Sequence, residues 1–329
     1  MKKISLEDHW YHPLNNEIRE EFTKRTPDST NFRCAANIKY TTPRMGTDGI
    51  EKYRLKEMDE NGIDIQIMSH GYPAIQGILD AKEAINKAKT MNDDMAEVIQ
   101  KYPTRFRGFA TLPMQNPKAA ADELERAVKD LGMLGALING HTNGEFLDED
   151  KFRIVWERSI ELGVPIFLHA FDPLPDQVKA YKGYRGLVGV GWGWNVEVAH
   201  HVMRIIYSGL FEDMPEATLI IGHMGEMLPY ALARIDEGYE QTGGSENWKI
   251  PKEPSYYYKK NIMITTSGHW NPEAMLCAIG ALGIERIMFS VDFPFVVTEK
   301  SVQQVENTPI SQEDKEKIYY KNAQRLFNL

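Results

Sequence analysis

Glu7 and His9 stand two residues apart near the start of the chain, and a period of two puts both on one face of a strand. His169 closes the run Phe167-Leu168, His223 follows Ile220-Ile221-Gly222, and Asp292 follows Phe289-Ser290-Val291. One histidine after a strand is more often a hydrogen-bonded structural residue than a ligand. Five ionisable side chains at the ends of apolar runs are harder to explain that way. Carboxylates and imidazoles buried together without a cation are costly. A divalent metal held by Glu7, His9, His169 and Asp292 accounts for the set. The mixed nitrogen and oxygen donors favour Mn²⁺ or Zn²⁺ over Mg²⁺.

His223 opens His223-Met224-Gly225-Glu226. If a helix begins there, Glu226 lies three residues on and braces the imidazole as an acid or base beside the metal. An acidic residue favoured by a helix start is an equal reading of the same pair. Arg234, eight residues after Glu226, is either an anchor for an anionic substrate or a surface cation. His70 and His269 are pocket candidates, whereas His200 and His201 read as packing or interface residues, and His12 and His141 stay unassigned. The chain has no G-x-S-x-G turn, phosphate loop or C-x-x-C pair, which removes serine hydrolase, nucleotide and zinc-finger readings.

The elements that must position these residues alternate strand and helix along the whole chain. Strands are expected at Lys3–His9, Asp64–Ser69, Phe106–Leu112, Leu134–Asn139, Val164–His169, Ala217–Gly222, Asn261–Ser267 and Arg286–Val291. Their apolar cores suit strands buried on both faces of a parallel sheet. Between them Ala84, Ala88, Met91, Met95, Val98 and Tyr102 recur at helical spacing. Asn116-Pro117 and Asn271-Pro272 read as helix starts with a capping Asn, Gly132 as a helix stop, and Ser311 as the start of the last helix. Eight such units predict a single (β/α)₈ barrel domain over residues 1–329. The runner-up, an open doubly wound sheet, wants a glycine-rich turn where the chain has His9-Trp10-Tyr11-His12-Pro13. Long connections after strands one and five (Trp10 to Gly46, Phe171 to Trp194) would then line the barrel mouth, or cover it, or form a subunit interface.

The bulk properties are consistent with this. A net charge of −9 without a basic run argues against nucleic acid as the main partner. The chain lacks a membrane-length apolar run and an apolar leader, and its two cysteines, Cys34 and Cys277, read as reduced, so a soluble cytoplasmic protein is expected.

The order Glu7-x-His9, His169, His223-x-x-Glu226, Asp292 resembles the metal-dependent decarboxylases of the amidohydrolase superfamily, and most of all the γ-resorcylate (2,6-dihydroxybenzoate) and 2,3-dihydroxybenzoate decarboxylases. Phe109-Ala110-Thr111-Leu112-Pro113, Gly135-Ala136-Leu137-Ile138-Asn139, Ile264-Thr265-Thr266-Ser267-Gly268 and Asn322-Ala323-Gln324-Arg325-Leu326-Phe327 extend the likeness over nearly the whole chain. The resemblance implies an amidohydrolase-like barrel, one catalytic divalent metal and a homotetramer or homodimer. It matches Glu7, His9, His169 and Asp292 to metal ligands, His223 and Glu226 to a catalytic pair, and Arg234 to a pocket arginine. Two departures stand out, the first at the pocket rim. The strand-five ligand opens His169-Ala170-Phe171-Asp172-Pro173 where the family has His-Pro-Arg-Asn-Pro, and Phe293 stands where Trp or Tyr is common.

The expected activity is non-oxidative decarboxylation of an ortho-hydroxybenzoate-type small aromatic acid, with Asp292 protonating the ring. A metal-dependent hydrolase or hydratase of the same superfamily is the enzymatic alternative, and a binding protein without chemistry the other.

Overall fold

The computed structural model describes residues 1–26 and 35–329. Cys34 lies outside them, and Cys277 is a free thiol. All eight expected strands form: β1 Ile4–Trp10, β2 Ile65–His70, β3 Phe106–Gly108, β4 Ala136–Asn139, β5 Ile166–His169, β6 Leu219–Ile221, β7 Ile262–Thr265 and β8 Ile287–Met288. The first two are shifted by one residue, and the other six are shorter than expected. β4 and β5 lose residues only at their starts, β3 only at its end, and β6, β7 and β8 at both. Phe289, just past the end of β8, donates its N–H to Ile318 rather than to a neighbouring strand.

Every pairing is parallel, in two sheets ordered β1-β2-β3 and β4-β5-β6-β7-β8. Single parallel bridges, Ala110 to Ala136 and Leu6 to Ser290, join the two sheets at both seams. The strands therefore run round a closed ring, and the fold is the (β/α)₈ barrel. Ile4, Leu6, Ile65, Ile67, Phe109, Leu137, Phe167, Ile220, Met263 and Met288 pack together inside it, with Ala323 and Phe327 of the last helix against them. The alternate residues, among them Met68, Ile138, Leu168 and Ile221, pack outward onto the helices. Burial on both faces explains why these strands read as unbroken apolar runs.

The helices follow their capping chemistry. Asp80 caps Ala81–Lys101 through the Glu83 N–H, and that helix buries Ala84, Ala88, Met91 and Met95. Asn116 caps Pro117–Lys129 through the Ala119 N–H, and Ser311 caps Gln312–Glu316. Asn271 precedes Pro272–Leu282 but makes no capping bond, and Gly132 lies beyond a helix that already ends at Lys129. The long connection after β1 carries helices Pro13–Arg25 and Ala35–Met45, with His12 capping the first by accepting the Leu14 N–H. Among the described residues no helix is long and apolar enough to cross a membrane.

The end of β2 buries a neutral imidazole. His70 is 1% exposed, and one ring nitrogen lies 3.2 Å from the Met91 carbonyl. Burial drives its pKa down to about 3. Its folded pKa is below the ordinary value of about 6.5, so the unfolded chain binds the extra proton first. The stability that neutral His70 contributes is present above about pH 6.5 and is lost as the pH falls toward 3. Glu7 and Glu197, whose carboxyls burial pushes up, act in the opposite sense, so the measurable quantity is a difference between variants. Between pH 7 and pH 5, His70→Gln is expected to lose about 2 kcal/mol less unfolding free energy than the wild type. Equal losses in urea titrations of the two proteins would refute this.

Candidate active site

Glu7 reaches the barrel mouth because β1 breaks its own alternation. The ladder to β2 shifts register between Ser5 and Asp8, and Glu7 adopts φ 61°. Leu6 packs inside the barrel, so an uninterrupted strand would turn Glu7 and His9 outward. The extra residue restores both to the lumen. His223, Glu226 and Asp292 also have left-handed backbones, at φ 47°, 53° and 65°. A non-glycine residue held there costs roughly 1–3 kcal/mol and persists only where its surroundings enforce it. Four such residues around one cavity mark it as the part of the fold in which local preference is overruled.

The side chains converge closely. His9 Nε2 lies 3.2 Å from Asp292 Oδ1, and His169 Nε2 lies 3.9 Å from Glu7 Oε1. The rings of His9 and His169 meet edge to face with centroids 4.7 Å apart. One ligand atom from each of His9, His169 and Asp292 falls within 4.8 Å of the others. His169 Nδ1 faces the Ala170 carbonyl at 3.0 Å, and His9 Nδ1 lies 3.1 Å from the Ser69 hydroxyl. These contacts orient both rings and direct their Nε2 atoms at the cluster. Glu7 Oε2 accepts from the hydroxyls of Ser267, Thr265 and Ser290 at 2.6, 2.9 and 3.3 Å. Glu7 Oε1, His9 Nε2 and Asp292 Oδ1 are buried without a hydrogen bond, the last two facing each other at 3.2 Å. Buried polar atoms are ordinarily satisfied, and three unsatisfied atoms from an N/O donor set are what a borderline divalent cation would take up. The residues fit the metal. The cradle is also tight, since a Cβ on Gly222 would come within 2.4 Å of Glu7 Oε1.

His223 sits against this cluster. Its Nδ1 lies 2.8 Å from Glu226 Oε1 and 3.7 Å from Glu7 Oε1, and its Nε2 lies 3.8 Å from Asp292 Oδ2. The pair is real, but no helix begins here. A left-handed turn at residues 223–227 brings Glu226 back onto the ring, and the helix Leu228–Gln241 starts only afterwards. Burial alone would lower the His223 pKa, but the charges of Glu7 and Glu226 and the bonds to Asp292 and Glu226 outweigh it and raise the pKa well above 6.5. Burial would likewise raise Asp292, yet contact with His223 and His9 pulls it down to about 2.

Arg234 is not among these residues. It lies on the outer face of Leu228–Gln241, its side chain is 77% exposed, and it pairs with Glu237 at 2.7 Å. The helix buries Leu228, Pro229, Leu232 and Tyr239, which turns position 234 to solvent. Within one chain Arg234 thus takes the place of the surface cation that the sequence offered beside a substrate anchor.

The rim departure at residues 170–172 is absorbed into an aromatic wall. Asp172 accepts from the Tyr72 hydroxyl at 2.5 Å and from Trp194 Nε1 at 2.8 Å, while Phe171 packs edge to face with Phe22 and Tyr72. Phe295 lies 5.7 Å from the His9 ring, and Trp194 lies 6.3 Å from that of His169. His70 turns away toward Met91, and His269 is half-buried within the field of His223 and Glu226. The hydroxyls of Ser267, Thr265 and Ser290 are site residues that the sequence reading passed over.

The amidohydrolase family profile matches residues 8–329. The γ-resorcylate decarboxylase of Polaromonas sp. (strain JS666) is 41% identical over 286 residues, covering 85% of this chain and 88% of that protein. The crystal structure of a 2,6-dihydroxybenzoate decarboxylase complexed with 2,6-dihydroxybenzoate superimposes with a TM-score of 0.91 at 36% identity, covering 100% of both chains. The dihydroxybenzoic acid decarboxylase of Polaromonas sp. JS666, solved with manganese and the inhibitor 2-nitroresorcinol, gives a TM-score of 0.91 at 37% identity over 100% of this chain and 97% of that one.

Proposed function

The chain belongs to the amidohydrolase family, and on that footing we propose that it is a metal-dependent, non-oxidative decarboxylase of a small aromatic acid with a hydroxyl ortho to the carboxylate. The observation that carries this reading is the set of three unsatisfied buried atoms on Glu7, His9 and Asp292 beside the ion-paired His223–Glu226. Residues 1–329 act as one catalytic domain. Glu7, His9, His169 and Asp292 hold the metal, taken as Mn²⁺ or Zn²⁺, and the bound manganese of a relative supports the first. When bound, the cation supplies Lewis acidity toward an ortho-hydroxy carboxylate and orients it.

The protein's side chains supply the proton. Loss of CO₂ from an aryl carboxylate leaves an electron pair on the ring carbon, and no organic electron sink is needed if that carbon is protonated first. Asp292 delivers a proton from its carboxyl oxygen to the carboxyl-bearing carbon. The C–C bond then breaks, its electrons restore aromaticity, and CO₂ leaves. His223, 3.8 Å from Asp292 Oδ2, carries the proton that Asp292 passes on. Glu226 holds the ring of His223 and stabilises its charged form. Each turnover consumes one proton, which solvent replaces.

The protein is further read as a homodimer or homotetramer. Tyr230 is 87% exposed on the helix that carries Arg234, and Arg234 would reach a substrate only from a neighbouring copy. The test is ¹³CO₂ release from a panel of hydroxybenzoates by Mn²⁺-loaded protein. Acids with an ortho hydroxyl are expected to release CO₂, and benzoate and 4-hydroxybenzoate to release none. Turnover of benzoate would contradict the role of the hydroxyl, and metal uptake without any CO₂ would move the reading to a hydrolase or hydratase.

A further inference from the structure

Asp8 and Arg54 are buried beside the proposed metal ligands, near enough for each to feel the other's charge but without a direct ion pair. Both are 0% exposed. Arg54 ends the turn Ile50–Arg54 ahead of the helix Leu55–Asn61. Its Nη2 donates to the backbone carbonyl of His9, and its Nη1 donates to Gln66 Oε1 on β2 at 3.0 Å. The guanidinium carbon lies over Phe293, 4.3 Å from that ring's centroid. Asp8, between Glu7 and His9, accepts from the Phe293 N–H at 3.1 Å, and the His9 N–H donates to the Phe293 carbonyl at 2.7 Å. Phe293 directly follows Asp292.

These contacts share a consequence. The peptide carrying His9 and the peptide carrying Asp292 come from opposite ends of the chain and meet only at the β1/β8 seam. There Asp8 grips the nitrogen of Phe293, the backbone of His9 grips its oxygen, and Arg54 covers its ring while holding the carbonyl of His9. We infer that Arg54 and Asp8 are positioning residues that set the separation of His9 Nε2 and Asp292 Oδ1, and through it the affinity for the metal. A flat, forked cation is needed, because one side chain must span two acceptors and lie on an aromatic face. An ammonium meets one of those demands at a time. The inference rests on the metal reading above.

The test is a calorimetric Mn²⁺ titration of metal-free protein, with thermal unfolding recorded on the same samples. Arg54→Lys keeps a charge beside Asp8 and is expected to fold, but to bind Mn²⁺ 10- to 100-fold more weakly, the usual scale for groups that orient metal ligands. Arg126→Lys is the control. Arg126 makes a comparable fork to Glu123 and pairs with Asp93 away from the site, and its loss is expected to lower stability with no change in affinity. If Arg54→Lys does not fold, the paired change Asp8→Asn with Arg54→Met removes both buried charges and is read the same way. Folded variants that bind within twofold of the wild type overturn the inference while leaving the metal reading intact. An equal loss of affinity in Arg126→Lys overturns it as a general effect of stability. Wild-type protein that takes up no Mn²⁺ overturns the metal reading and this inference with it.

Discussion

Asp292→Asn is expected to lower CO₂ release by at least about 10³-fold while leaving the protein folded, within the range that loss of a positioned acid or base produces. The substitution is close to isosteric, and asparagine tolerates the φ of 65° that Asp292 adopts. The variant therefore adds no backbone strain. It removes the one carboxyl placed both beside His9, at 3.2 Å, and beside His223, at 3.8 Å. The amide cannot carry a proton to the ring. Its neutrality also withdraws a charge that helps keep the His223 imidazolium, so the proton supply weakens together with its carrier. The amide oxygen still offers a lone pair to a cation, and measurable metal is expected to stay bound. Circular dichroism, metal analysis and single-turnover ¹³CO₂ release on one preparation separate these effects. Activity above about 1% of wild type in a metal-loaded, folded variant would sink the proton-donor role.

The barrel and the cluster were legible for different reasons. Runs such as Ile166-Phe167-Leu168 and Leu219-Ile220-Ile221 are buried on both faces, so eight of them interleaved with helical stripes leave few other architectures. His169, His223 and Asp292 stood out because ionisable residues end those runs. Glu7 and His9 were placed on one face by simple alternation, and they do share it. The route is a bulge at Glu7 rather than a regular strand, and a single sequence carries no mark of a left-handed glutamate. The turn at residues 223–227 was hidden for the same reason, with His, Met and Glu in conformations usually reserved for glycine. The hydroxyls that hold Glu7 come from positions 258–283 residues away, and no local pattern announces so distant a pairing. For Arg234 the sequence left a substrate anchor and a surface cation side by side, and the buried stripe of Leu228, Leu232 and Tyr239 puts position 234 on the outer face.

Stripping the divalent cation is expected to abolish turnover and to lower the unfolding temperature, and Mn²⁺ is expected to restore both. The site explains why the two effects travel together. Glu7 and His9 are 0% and 1% exposed, His169 4% and Asp292 8%, so their charges and lone pairs gain little from water when the cation leaves. Glu7 keeps three hydroxyl donors on Oε2, but Oε1 has no hydrogen bond and only the longer approaches of His223 and His169. A ligand that binds only the folded state at 100 times its dissociation constant stabilises by about 2.7 kcal/mol. For a chain of this length that corresponds to a loss of roughly 4 °C on removal. The shift should grow with free Mn²⁺, by about 1.4 kcal/mol for each tenfold increase, which distinguishes a specific site from a fixed effect of the chelator. Dialysis against chelator, followed by graded Mn²⁺ in differential scanning calorimetry and ¹³CO₂ assays, provides both readouts. Undiminished turnover in protein holding far less than one metal per chain would remove the cation from the reaction, and the three unsatisfied atoms of Glu7, His9 and Asp292 would then need another occupant.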